Sequence, residues 1–374
     1  MPSLLSRGKS IYNEEGARQL FRKSTRYSLN KFYENVVWKI FPKNKTLRTI
    51  ARSRVLTSIY FTLKGTFYQE QRAVLCGVAK YHEAEEQRDA PRHRIIRSIH
   101  RIEKGLSMRN RRPVFAESYV GNVVGDLKTA WNPEEDDEQL YWAIDVLANY
   151  FKTVEHTDAI AEAHEEFSEF LAQIDYTPGN RVPYPRRELS DSPVSYADLK
   201  QLATQRTSTR WFQDKEVPRE LVDKSLEIAM QSPSACNRQS FEFRLYDEPE
   251  LIEELSSLAI GARGYKHNIP CLAAIVGKQR AYFDARDKHV IYIDASLAAM
   301  AFQFSLETQG LASCCINWPA IPHNERQLNN ILELDDDETV VMFMAIGFPD
   351  KDGMVPYSEK KNVESIISYN KVSK

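Results

Sequence analysis

The chain has 374 residues, 42% of them hydrophobic, which is enough for two regions that each bury a core and excludes a low-complexity or collagen-like chain. The formal net charge of −2 hides an asymmetry: residues 1–112 hold 25 Lys or Arg against 9 Asp or Glu, a balance of +16, so the remainder sums to −18. Five cysteines (Cys76, Cys236, Cys271, Cys314, Cys315) show no CxxC or metal-ligand spacing, and runs such as CLAAIV and TVVMFMAIG are too short to span a bilayer, so a reducing, cytoplasmic setting without a signal peptide is expected.

In chain order, residues 14–82 read as short helices. Within them VLTSIYFTL is amphipathic and flanked by Arg52, Arg54 and Lys64. That pattern fits a helix packing one face on a core, and it also fits peripheral contact with a membrane. PRHRIIRSIHRIEKGL sets Ile95, Ile99, Ile102 and Leu106 on one helical face, with a proline at the start and Gly105 at the stop. Its exit adds Arg109, Arg111 and Arg112, more cations than the dipole at a helix C-terminus accounts for. Helices follow through DEQLYWAIDVLANYFKTV and AIAEAHEEFSEFLAQI. Four prolines and a glycine then fall within DYTPGNRVPYPRRELSDSP, which no helix tolerates. These features divide the chain into a mostly helical basic region (1–174), a Pro-rich linker (175–192) and a second domain (193–374).

In the second domain SYADLKQLA and VPRELVDKSLEIAMQ read as helices, and FEFRLY alternates as a half-buried strand. CLAAIVG and TVVMFMAIG are continuous apolar runs suited to strands covered on both faces, separated by the small-residue helix IDASLAAMAFQFSLETQG. Helices and strands mix without regular alternation, so the fold class is α+β.

Three places carry candidate chemistry. In RTSTRWF, Arg206 and Arg210 flank Ser208, two planar guanidiniums and a hydroxyl suited to a phosphate. SPSACNRQSF offers Ser234 and the amides Asn237 and Gln239; in an extended segment those two side chains point the same way, able to read a flat heterocycle or merely to cap a helix end. Near the C-terminus Lys360 and Lys361 form a third, basic pair.

The order and spacing of these elements over residues 195–370 resemble the nitroreductase family of flavin enzymes. The resemblance implies an intertwined homodimer with FMN at its interface. The phosphate would be held by residues matching Arg206, Thr207, Ser208 and Arg210, with Lys360 or Lys361. Pro233, Ser234, Ala235, Asn237 and Gln239 would lie beside the flavin, and GLASCCIN, read as the loop after the long helix, would bring Cys314 and Cys315 against the ring as packing residues. Thr207, Lys360 and Asn317 depart from the commoner arginine, arginine and glycine. The resemblance further implies an enzyme moving electrons between NAD(P)H and a small organic substrate, with no catalytic side chain of its own. HRIEKGLSMRNRRPVF is similar to a stretch of nitroreductase-like proteins associated with surface-polysaccharide biosynthesis, and His100, Arg101 and Lys104 are the residues there that would bind an anionic substrate. A nicotinamide-independent oxidase or desaturase and a non-catalytic scaffold are the alternatives. No metal site is expected, and nucleic-acid binding has only charge in its favour, without zinc spacing or a Gly-rich phosphate loop.

Overall fold

The computed structural model describes residues 43–65, 67–86 and 92–371, together with Ser24 and Ser28; the helices expected over 14–42 otherwise lie outside the described residues. The chain divides into two compact units, residues 1–68 and 69–374.

The first unit holds a helical hairpin, α1 (Lys43–Ala51) and α2 (Arg54–Lys64). Ser53 caps α2 by accepting from the Leu56 N–H, and Gly65 ends it at φ 63°, a left-handed conformation that glycine adopts without a Cβ penalty. The Thr57 hydroxyl donates to the Ile50 carbonyl at 3.0 Å, tying the hairpin together. Against the expectation of a helix packed on a core, α2 contains no buried residue.

The second unit begins with α3 (Tyr68–Glu86) and α4 (Arg92–Leu106), followed by α5 (Val120–Ala130), α6 (Glu138–Thr153) and α7 (Asp158–Leu171). Ile95, Ile99, Ile102 and Leu106 of α4 meet Val124 and Leu127 of α5, Ile144 and Leu147 of α6 and Phe167 of α7 in one all-helical core. The Asp137 side chain caps α6 through the N–H groups of Gln139 (3.0 Å) and Leu140 (3.1 Å). Asp145, buried on α6, accepts from the Tyr176 hydroxyl at 3.0 Å, the Gly179 N–H at 2.7 Å and the Arg181 N–H at 3.0 Å. The start of the Pro-rich 175–192 stretch is thereby anchored to the helical core.

Beyond it come α8 (Tyr196–Gln205), α9 (Arg219–Ala229), β1 (Phe241–Tyr246), α10 (Pro249–Leu258), β2 (Cys271–Lys278), α11 (Val290–Thr308), β3 (Ala312–Asn317), α12 (Pro322–Leu332) and β4 (Glu338–Gly347). The sheet order is β1-β2-β4-β3, with every pair antiparallel. β2 and β4 are central, as their apolar runs predict. Cys271, Ala273 and Ile275 face a core with Ala295, Phe302 and Leu306 of α11, while Leu272, Ala274 and Val276 face a second core with Leu255 of α10 and Leu328 of α12. β3 corrects the expected loop: GLASCCIN is an edge strand registered along β4 from Ala312↔Gly347 to Asn317↔Met342.

The acidic half of the chain neutralises part of the basic front. Asp337, with no exposed side-chain surface, binds Lys80 of α3 (2.7 Å) and the Nε of Arg280 (2.8 Å); Arg72 pairs with Asp336 at 2.6 Å. Within the helical region Arg94 grips Asp126 through two nitrogens and Arg92 pairs with Asp137. Among the described residues one helical segment, Ala285–Thr308, is long and apolar enough to cross a membrane; half of it is buried, as in a core helix.

Candidate functional site

The phosphate-type triplet is placed by α8 and β3. A Ser195–Asp198 capping box starts α8, and Arg206 is its C-cap, its N–H bonded to the Leu202 carbonyl. The chain then runs beside the sheet: Ser208 forms a parallel bridge with Ser313, and the buried Thr209 donates its N–H to the Ser313 carbonyl at 3.1 Å. Residues 206–210 and β3, about a hundred positions apart in sequence, thus share one edge of the sheet. Ser208 is exposed, with Arg206, Thr207 and Arg210 half-buried around it. The Arg206 guanidinium donates to the Gln303 side-chain oxygen at 3.4 Å, and Arg210 donates to the Ser208 carbonyl at 3.2 Å and lies 5.9 Å from the Tyr265 ring centre. Neither arginine has a carboxylate ion-pair partner among the described residues. Arg206 does feel the carboxylate of Glu307 on α11, whose pKa is raised by burial and lowered in turn by the arginine. Two guanidiniums without a direct ion pair, close in sequence to an exposed hydroxyl, are a donor set that fits a phosphate.

On β3 itself, the Cys315 sulfur accepts from the Gln303 amide at 3.2 Å. The residue is exposed as a whole, yet its sulfur is sheltered: desolvation, aided by the Cys314 thiol, pushes it up to about 11. It is a protonated thiol at neutral pH, in accord with packing rather than nucleophilic chemistry. Cys314 is buried, with its sulfur 3.6 Å from the Tyr265 hydroxyl.

The 232–241 connection joins α9 to β1, but it is not extended. A short 3-10 turn spans Ala235–Asn237, and Cys236 (φ 54°), Asn237 (φ 55°) and Gln239 (φ 51°) are all left-handed. The picture of two amides projecting side by side from extended backbone is therefore corrected: they are brought together by curvature, and the Gln239 amide donates to the Asn237 side-chain oxygen at 3.1 Å. The Ser234 hydroxyl accepts from the Gln239 N–H at 3.2 Å. Asparagine tolerates this region, whereas cysteine and glutamine do not readily, so the loop holds roughly 1–3 kcal/mol of strain at each such position. Its back is what holds it. The buried Asp294 accepts from the Ala235 N–H at 2.9 Å and faces the Tyr282 hydroxyl at 3.5 Å. Burial raises the Asp294 carboxyl, with those two donors and Arg238 opposing. Tyr282 bonds Ser240 at 2.7 Å, and the buried Arg238 guanidinium lies 4.9 Å from its ring centre. Pro233 is exposed, while Ser234, Ala235, Asn237 and Gln239 are half-buried on the front.

Sequence reasoning missed Asp294 and Gln303. The signal was present: each is a polar side chain larger than serine in the mostly apolar body of the helix, and each contacts one of the two clusters. Nine residues of α-helix separate them, about 14 Å along α11. Along the same stretch Ile293 (50% exposed), Leu297 (43%) and Met300 (36%) leave an apolar stripe on the outer face of α11. Lys360 and Lys361 are exposed on the C-terminal arm, which carries no regular element beyond a 3-10 turn at Val363–Ser365.

In the basic front the structure gives most of the proposed substrate residues other partners. His100 Nδ1 lies 3.3 Å from Glu103, which also accepts from the Trp142 indole at 3.1 Å, and Arg101 covers the Tyr119 ring at 4.2 Å. Lys104, Arg109, Arg111 and Arg112 are exposed. The front does reach the loop behind the second cluster, through His93 near the start of α4. Its ring is lowered to about 4 by burial first and then by Arg238, Arg280 and Arg94, with Asp337 opposing.

Residues 203–263 and 261–348 match the model of the Nitroreductase family. Over this region the chain is similar to the nitroreductase family. The chain is also 24% identical over 238 residues to iodotyrosine deiodinase 1 of Sus scrofa, 56% of this chain and 80% of that protein. Among solved structures it is similar to an FMN-dependent nitroreductase from Clostridium difficile R20291 (24% identity, TM-score 0.39, 46% of this chain and 98% of that one). A nitroreductase family protein from Streptococcus pneumoniae TIGR4 is similar too (23%, TM-score 0.40, 46% and 99%). The residues matched by the family model, 203–348, contain both polar clusters and the sheet.

Proposed function

We propose that the protein is a homodimeric FMN-dependent oxidoreductase that takes two electrons from NADH or NADPH and passes them to a small organic acceptor. The observation that carries the reading is the pair of guanidiniums, Arg206 and Arg210, which make no direct ion pair among the described residues and flank the exposed Ser208 at the edge of β3. Bound there, the flavin supplies the redox chemistry. Arg206, Arg210 and Ser208 bind its phosphate, and Lys360 or Lys361 adds charge. Asn237 and Gln239 orient the ring through their amides, held in place by Asp294 behind Ala235. The 14 Å between the two clusters along α11 favours assembly of each site from two chains, with Ile293, Leu297 and Met300 covered by the second copy. Cys315 remains protonated and excludes water.

An absorption spectrum of the purified protein, with mass identification of the released cofactor, tests the first half of the reading. A colourless protein that takes up no FMN on reconstitution would overturn it. Anaerobic mixing with NADPH and NADH tests the second; a flavin that stays oxidised with both would transfer the assignment to a nicotinamide-independent oxidase or desaturase. The 238-residue match to a deiodinase favours one further reading, in which the acceptor is a halogenated aromatic. There the carbon–halogen bond is cleaved by two electrons and a proton, and halide release measured against nitro-group reduction separates the two acceptors.

A further inference from the structure

A helix of α2's length does not hold itself together in water: isolated helices shorter than about 12–15 residues are marginal, and helices in proteins persist by burying an apolar face. Yet α2 has 11 residues and buries none of them. Val55 (66% exposed), Leu56 (46%), Ile59 (50%) and Leu63 (84%) fall within about 100° of one another around the axis, so what is exposed is a coherent apolar stripe. The sequence of the hairpin itself carries charge of one sign. Residues 43–68 contain Lys43, Lys45, Arg48, Arg52, Arg54 and Lys64 and no Asp or Glu. Arg54 and Lys64 lie off the stripe, on the flanks of the same helix.

We propose that α2 is an interfacial membrane anchor, lying parallel to an anionic bilayer with the Val55, Leu56, Ile59 and Leu63 face in the headgroup boundary. The chemistry selects this occupant. Apolar side chains beneath a rim of cations match a surface that offers acyl chains beneath anionic headgroups. A second copy would bring a surface of the same charge, six cations against six. An 11-residue helix is also far too short to cross the bilayer, so the contact is lateral rather than spanning. The anchor would place the flavin-type domain beside a membrane, where lipid-soluble or lipid-linked acceptors are concentrated.

The test is co-flotation of the full chain with vesicles of phosphatidylcholine alone and of phosphatidylcholine with phosphatidylserine. The full chain floats with the phosphatidylserine vesicles and far less with the neutral ones, and raised salt weakens the binding. The double variant Ile59→Asp, Leu63→Asp loses more than about tenfold in partitioning, while its far-UV circular dichroism and thermal midpoint match the parent because neither residue is buried. Arg54→Glu with Lys64→Glu loses the preference for phosphatidylserine. A full chain that stays in solution with both vesicles, or a stripe variant that floats as well as the parent, overturns the proposal. So does a stripe variant that changes only the oligomeric state or the capture of an acidic protein, which would assign the face to that occupant.

Discussion

Replacing His93 by phenylalanine should make the protein more resistant to acid. The His93 side chain is half-buried with its Nε2 sealed from solvent and without a hydrogen-bond partner, and Tyr81 lies 5.6 Å away between ring centres. The folded state therefore holds the ring neutral down to about pH 4, against 6.5 for a free imidazole, because Arg238, Arg280 and Arg94 add to the cost of burying a cation. The unfolded chain takes up this proton below pH 6.5 and the folded chain does not until about pH 4, so between those values the unfolded state binds more protons. Stability then falls with falling pH. From the two pKa values the loss is about 1 kcal/mol at pH 6 and about 2 kcal/mol at pH 5.

Phenylalanine keeps the aromatic contact, gives up no hydrogen bond and removes the titration. Urea unfolding of parent and His93→Phe at pH 7.5, 6 and 5 should thus give a stability difference that shifts in favour of the variant by about 2 kcal/mol from the first pH to the last. Other groups titrate in both proteins and cancel in the difference. A difference that is flat with pH would refute the claim that His93 is held neutral in the fold, and with it the account of Arg238 as an uncompensated neighbour.

Two further outcomes are expected. Asp337→Ala should destabilise the protein by about 3 kcal/mol in denaturant unfolding, because it removes charged acceptors from Arg280 and Lys80 at a fully buried carboxylate; the loss is held to that size because both cations are about a third exposed and regain water. The double variant Arg206→Ala, Arg210→Ala should lose FMN affinity by more than a hundredfold in fluorescence titration, at roughly ten- to hundredfold per charged hydrogen bond, with its circular dichroism unchanged. Retained affinity would move the phosphate elsewhere.

What could be read from the residues alone follows where the deciding contacts are local. The period-2 alternation of Phe241, Phe243 and Leu245, which pack on the α11-side core, and the isoleucine stripe of α4 each carry their own answer, because a strand or helix with one face toward a core must write that face into its spacing. β2 and β4 are legible for the same reason, being covered on both sides. β3 is not: Ser313, Cys314 and Cys315 have no strand-like pattern, and it is the partners Met342–Gly347 and Ser208 that make the segment a strand. α5 was hidden by two glycines in VGNVVGDLKTA, which packing against α4 and α7 overrides. The left-handed turn at Cys236, Asn237 and Gln239 was equally invisible, since no glycine marks it and the carboxylate that holds it, Asp294, arrives some sixty residues later. Of the candidate site, the triplet 206–210 was legible as residue types, but its neighbour Gln303 and its seat on β3 depend on tertiary contacts.

The charge asymmetry of the sequence resolves into two physically different parts. Arg72, Lys80, Arg92 and Arg94 meet Asp336, Asp337, Asp137 and Asp126, so from α3 onward the basic front is in part an electrostatic complement to acidic residues of its own chain. Such pairs orient helices more than they stabilise them where they are exposed. Residues 43–68 are the exception, since they hold six cations and no acid of their own, beside a stripe of exposed apolar side chains. A segment that needed only solubility would not keep Leu63 exposed, and one that needed only a protein core would not surround it with cations. The combination is what an anionic interface selects, and the net charge of −2 conceals it because the two parts are averaged with the acidic half.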